Sequence, residues 1–113
     1  MTELQRLLKR LDNEIIFELI EPDARVLDLG CGEGELLARL IDEKQVAGQG
    51  IEIDRQAIAA CVEKGVNVLH GDFYDELPEY PEKSFDYVVL NESLQEIKDV
   101  VRLLDESLRV GRR

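Results

Sequence analysis

Basic residues are scarce in this 113-residue chain: Lys and Arg number 14 against 25 Asp and Glu, a formal net charge of −11. A surface that negative repels phosphate backbones and anionic lipid, so neither nucleic acid nor a membrane is an expected partner. No apolar run approaches the ~20 residues of a membrane span. The first eleven residues set Glu3, Arg6, Lys9 and Arg10 among leucines, which breaks the apolar core a signal peptide needs. Cysteine is limited to Cys31 and Cys61, with no C-x-x-C between them. Neither a disulfide framework nor a zinc knuckle follows, and no metal site is expected. Internal repeats and low-complexity tracts are missing as well. These absences together point to a cytoplasmic protein.

What is present is globular: 44% hydrophobic and 35% charged residues. The length suits one domain with a modest core. Residues 1–20 read as an amphipathic helix. Leu4, Leu7, Leu8, Leu11, Ile15, Ile16 and Leu19 recur at steps of three and four, and Thr2 and Gln5 stand at capping-box spacing. Pro22 ends that helix. Residues 21–113 form the second unit. Strands are predicted at Arg25–Leu29, Gly50–Asp54, Val66–Leu69 and Phe85–Leu90. Helices follow the first, second and fourth of these, on Leu36/Leu37/Leu40/Ile41, on Ala57/Ile58/Cys61/Val62 closed by Gly65, and on Leu94/Ile97/Val101/Leu104/Leu108 stopped by Gly111. The stretch Asp75–Ser84, with Pro78, Pro81 and four acids, reads as a loop. Four alternations of strand and helix predict an α/β, Rossmann-like parallel sheet of about four strands with helices on both faces. Ligands in such sheets sit beyond the carboxyl ends of the strands.

Gly30, Gly32 and Gly34 lie at that edge, between the first strand and its helix. Glycine there permits a sharp turn and close backbone approach to a ligand, although a tight turn alone also explains it. A dinucleotide fingerprint needs its third glycine at position 35, which is Glu35, and a carboxylate there repels a pyrophosphate. With Asp28 before the loop and Glu33 inside it, a cationic ligand rich in hydroxyls and amines fits better than a phosphate. Glu52 falls twenty residues after Gly32, where an acid can accept from ribose hydroxyls, although a surface acid at a strand end also fits a lone glutamate. Asp54 reads as a helix N-cap. Asp72, after Gly71, is placed to accept from an adenine amino group or to be a solvated loop acid. Asn91, at the end of the fourth strand, reads first as a turn residue. His70 reads as structural, Cys61 as a core cysteine, and a nucleophilic role for Cys31 has no support.

Val26-Leu27-Asp28-Leu29-Gly30-Cys31-Gly32-Glu33-Gly34 resembles the first motif of the class I S-adenosylmethionine-dependent methyltransferases. Gly50-Ile51-Glu52-Ile53-Asp54, Gly71-Asp72 and Phe85–Leu90 resemble the second, third and fourth. Within that superfamily, Gly30–Leu37, Asp42-Glu43-Lys44, Gly65–Val68, Ser93-Leu94-Gln95 and Leu108–Arg113 are similar to the methionine biosynthesis protein MetW family. The resemblance implies an S-adenosylmethionine site, with S-adenosylhomocysteine as product. It is carried by Asp28, Gly30, Cys31, Gly32, Gly34, Glu52, Ile53, Gly71, Asp72 and Asn91. It also implies a context in methionine biosynthesis with homoserine O-acetyltransferase as partner. It covers about Ile20 to the last residue and corresponds to the cofactor-holding half of a truncated class I methyltransferase fold; later segments carry acceptor residues, so no catalytic residue is assigned. The alternatives are a non-catalytic cofactor-sensing or interaction module, and a folded half-domain without activity. The fourth strand, apolar and at the sheet edge in such a half, predicts a homodimer that covers it.

Overall fold

The computed structural model describes residues 2–90 and 106–111. Helix α1 spans Glu3–Leu19; the Thr2 hydroxyl accepts from the Gln5 amide at 3.1 Å while the Gln5 side chain accepts from the Thr2 amide at 2.8 Å. The expected capping box is therefore built. The leucine stripe that defines the helix in sequence faces outward, however. Phe17 and Ile20 are buried instead. Arg39 lies 3.8 Å over the Phe17 ring and bridges to Glu14 at 2.6 Å. The Lys44 ammonium donates to the Phe17 carbonyl and to the Ile20 carbonyl. All these anchors sit in the second half of α1.

Four parallel strands follow: β1 (Arg25–Leu29), β2 (Ala47–Glu52), β3 (Val68–His70) and β4 (Tyr87–Leu90), in the spatial order β3-β2-β1-β4. Between them lie α2 (Glu35–Lys44), α3 (Arg55–Glu63) and the short α4 (Phe73–Glu76), which runs into a 3-10 turn at Leu77–Glu79. Successive strand residues point to opposite faces. Val26 accordingly joins Phe17, Ile20, Leu36, Leu37 and Leu40 on one side. Leu27 and Leu29 join Ile51, Leu77 and Val110 on the other. Residues 106–110 are helical and close that second face. Arg109 donates to the Tyr80 and Leu77 carbonyls at 2.8 and 3.1 Å, so one guanidinium ties this turn to the 3-10 turn. The parallel sheet with helices on both faces is thus observed.

Several boundaries move. Strand β2 starts at Ala47, three residues before the expected Gly50, because its ladder with β1 runs from Arg25↔Ala47 onward. Ala-Gly-Gln-Gly has little strand propensity; neighbouring hydrogen bonds decide it. The same strand stops at Glu52, whose carboxylate takes the Ile53 and Asp54 amides out of the ladder. Val66 leaves the third strand because its amide closes α3 onto the Cys61 carbonyl, with Gly65 at φ +75°. The Gly65 amide meets Val62, which completes a Schellman ending. Phe85 and Asp86 leave the fourth strand: Asp86 exchanges hydrogen bonds with Arg25, and Phe85 forms a parallel bridge with Gly111. The expected Asp75–Ser84 loop takes in the end of α4 and the 3-10 turn; the Asp72 carboxylate caps the Tyr74 amide at 2.9 Å at the start of α4. The helix expected across Leu94–Leu104, and Asn91, lie outside the described residues.

Candidate functional site

The carboxyl ends of β1 and β2 face the same loop. Gly30, Gly32 and Gly34 all have positive φ, at +71°, +59° and +80°. A side chain with a Cβ resists that region, so glycine is what lets β1 turn into α2 here. Around Gly32 an added Cβ would meet nothing within 4 Å, so the loop presents bare backbone to open space. Gly34 caps α2 in the left-handed conformation. The Gly30 and Cys31 amides both donate to the Ile51 carbonyl, at 2.8 and 3.2 Å, which seats the loop on the end of β2.

Glu52 organises the rest. Its Oε1 accepts from the Gly32 amide at 2.7 Å. Its Oε2 accepts from the Ile53 and Asp54 amides at 3.0 and 2.9 Å. A carboxylate has about four lone-pair sites, so three amides leave roughly one acceptor position for a ligand hydroxyl. Asp28 is buried in β1 beneath the loop. Ile53 is exposed beside Glu52, and its carbonyl accepts from His70 Nε2 at 3.2 Å. His70 is thereby a structural partner of the β2 end. Asp54 caps α3 through the Gln56 amide at 3.0 Å, as its position in the sequence predicts. Gly71 donates to the Glu52 carbonyl at 3.0 Å, which brings Gly71-Asp72 to the same edge. The structure therefore gathers nine of the ten expected residues along one edge; Asn91 falls outside the described residues.

Two features were not legible in sequence. Cys31 and Cys61 meet, with sulfurs 3.9 Å apart, and the Cys61 thiol donates to the Gly32 carbonyl at 3.1 Å. Both thiols are buried, and Gly50 and Gly34 make the room: an added Cβ would come within 2.5 Å of the Cys31 sulfur and 2.9 Å of the Cys61 sulfur. Burial, followed by nearby Cys61, Asp28 and Glu52, pushes the Cys31 thiol far above its ordinary range. Burial raises Cys61 too. Burial thus disfavours the thiolate of Cys31, whose side chain packs in the core cluster. The second feature is a cleft of about 1140 Å³ between the loop and α1, which has Arg6, Arg10 and Asn13 on one wall and Glu33, Glu35 and Asp54 on the other. Its volume lies just above the ~300–1,000 Å³ range of small-molecule sites. Among the described residues there is no group of three or more His, Cys, Asp or Glu placed to hold a metal ion. No described helix is long and apolar enough to cross a membrane.

The family model described as methionine biosynthesis protein MetW matches residues 10–113. A bifunctional methionine biosynthesis protein MetXA/MetW of Rhodopirellula baltica is 40% identical over 110 residues, covering 90% of this chain and 18% of that protein. A solved S-adenosylmethionine-dependent methyltransferase from Archaeoglobus fulgidus superposes with a TM-score of 0.70 at 32% identity, covering 95% of this chain and 48% of the other. A Haemonchus contortus phosphoethanolamine N-methyltransferase in complex with S-adenosyl-L-methionine gives 0.72 at 23% identity, over 90% of this chain and 25% of that one. That last likeness shows the fold alone. The chain spans less than half the length of each of these proteins.

Proposed function

The chain belongs to the MetW family, and from that premise we propose that it binds S-adenosylmethionine at the Gly30–Gly34 loop and serves methionine biosynthesis beside a homoserine O-acetyltransferase. The observation that carries this reading is the Glu52 carboxylate closed on the Gly32 amide at 2.7 Å. It holds the bare backbone of Gly32 next to an acid with spare acceptor capacity. A side chain at Gly32 would fill the space a ligand needs, and the surrounding acids suit a sulfonium and an ammonium better than a phosphate. Gly30, Cys31 through its backbone, Gly32 and Gly34 would hold the amino-acid end over Asp28. Glu52 would take ribose hydroxyls, and Ile53, Gly71, Asp72 and Asn91 would flank the adenine.

The cofactor supplies an activated methyl group when bound, so the chain has only to hold it and exclude water. Cys31, kept neutral by burial, is no nucleophile or base in that site. The partner reading is supported by a relative whose name joins MetXA and MetW in one protein. A homodimer in the cytoplasm completes the proposal.

Calorimetry on the 113-residue chain tests the site. We expect micromolar affinity for S-adenosylmethionine and S-adenosylhomocysteine, no heat with NAD, and at least tenfold weaker binding in Glu52→Ala. Silence from both sulfur ligands in a folded sample overturns the reading.

A further inference from the structure

The inward face of α1 changes character along its length. At 3.6 residues per turn, Glu3, Arg6, Arg10, Asn13, Phe17 and Ile20 fall on one stripe roughly 100° wide. Phe17 and Ile20 close that stripe onto the core. Towards the start of the helix the same stripe turns polar. Arg6, Arg10 and Asn13 line the cleft of about 1140 Å³ beside the glycine loop, with Glu3 at its outer end.

Polar groups on an inward face ask for polar partners. The protein supplies none here. Every ion pair among the described residues is made by Arg25, Arg39 or Arg109. Arg6 and Arg10 enter none of them, although Glu33, Glu35 and Asp54 line the facing wall. The Asn13 Oδ1 atom is buried and has no hydrogen-bond partner among the described residues. The cleft thus holds two unpaired guanidiniums, an unused acceptor and a facing row of acids, with space between the walls.

We propose that this cleft takes the zwitterionic head of an α-amino acid. Arg6 and Arg10 donate to its carboxylate, and its ammonium meets the Asn13 oxygen and the acids of the facing wall. The other charge types fit worse. A phosphate would meet Glu33 and Glu35 as well as the arginines, and a diamine would leave the arginines facing a cation. A zwitterion gives each wall its complement and adds no net charge. The head belongs either to S-adenosylmethionine or to a free amino acid bound beside the glycine loop. For the first source the inference rests on the cofactor reading above; for the second it does not. Both arginines are exposed, so water screens them, and the pair is expected to be worth about tenfold in affinity.

Calorimetry with three probes tests this: S-adenosylmethionine, its decarboxylated form, and L-methionine. The decarboxylated form keeps the sulfonium and the ammonium and lacks only the carboxylate. On a protein of charge −11 its extra net positive charge favours binding, so a loss of affinity has to come from the missing local contact. We expect it to bind about tenfold more weakly than S-adenosylmethionine. In Arg6→Gln/Arg10→Gln the affinity for S-adenosylmethionine should fall about tenfold, while the decarboxylated form binds at least as well as before. The substituted side chains are exposed and unpaired, so the circular dichroism spectrum and the urea midpoint should not move. Where S-adenosylmethionine is indifferent to the substitution, arginine-dependent binding of L-methionine assigns the clamp to a free amino acid. If neither sulfonium ligand binds, the cofactor reading fails, and the same L-methionine titration still decides the clamp. Equal losses for both sulfonium ligands in the double variant overturn the proposal, because the arginines would then act on the fold rather than on a carboxylate. So does indifference of S-adenosylmethionine to the substitution together with no arginine-dependent binding of L-methionine.

Discussion

Glu52 and the two cysteines show how much of the loop's shape rests on single side chains. Glu52 satisfies three backbone amides from two different loops, and a carboxylate accepting charge-assisted bonds holds them more strongly than a neutral acceptor would. The sulfur pair fills the space under the same loop, and Gly50 is small because Cys31 needs the room. Gly50→Ala would place a Cβ 2.5 Å from that sulfur. We expect a loss of about 1–3 kcal/mol, the usual range for overpacking a core. Cys31→Ala in the same chain should recover much of it. Urea unfolding of the two single variants and the double variant measures the coupling, and additive losses would show that the contact is not the cause.

At the scale of elements, α1 differs from the other helices. Its second half is tied to α2 through Arg39, Phe17 and Lys44. Glu3–Leu8 and Arg10 make no hydrogen bond or ion pair to another element among the described residues. Their helical state rests on the capping box. Thr2→Ala removes one capping bond, worth about 1 kcal/mol of local helix stability. The loss should appear as faster amide exchange at residues 5–10, with the global unfolding midpoint almost unchanged. A large shift of that midpoint would mean the first half of α1 is integral to the core. The strands behave oppositely: β1, buried along most of its length between β2 and β4, sets the register of both of those strands.

For the whole molecule, a net charge of −11 sets the background against which folding is measured. Self-repulsion grows with every further ionisation, and the thiols add a specific dependence. Cys31 is raised in the folded state from a reference value of 9.0, and Cys61 is raised as well. The unfolded chain therefore releases these protons first. It binds fewer protons than the folded chain once the pH passes about 9, so stability is full below that point and falls as pH rises through it. The slope is at most about 1.4 kcal/mol per pH unit for each thiol. Denaturant midpoints between pH 7 and 10 should decline above pH 9, and the decline should shrink in Cys31→Ala. A flat profile would place both thiols in contact with solvent.

The sequence by itself determined the alternation of strands and helices, the glycine loop, the Thr2 and Asp54 caps, the Gly65 ending and the acid twenty residues beyond Gly32. Each is a local signal, carried by periodicity of two or 3.6 or by a residue with one favoured backbone region. Tertiary structure alone decided that β2 begins in an Ala-Gly-Gln-Gly stretch, since hydrogen bonds from β1 impose what propensity does not. It alone brought Cys31 to Cys61 across thirty residues, because sulfur contacts leave no spacing rule in the chain. And it alone decided which side of α1 faces the body. A stripe of leucines says that a helix has an apolar face, but only the fit of Phe17 and Ile20 against α2 and the sheet fixes which face is spent on the core and which is left exposed.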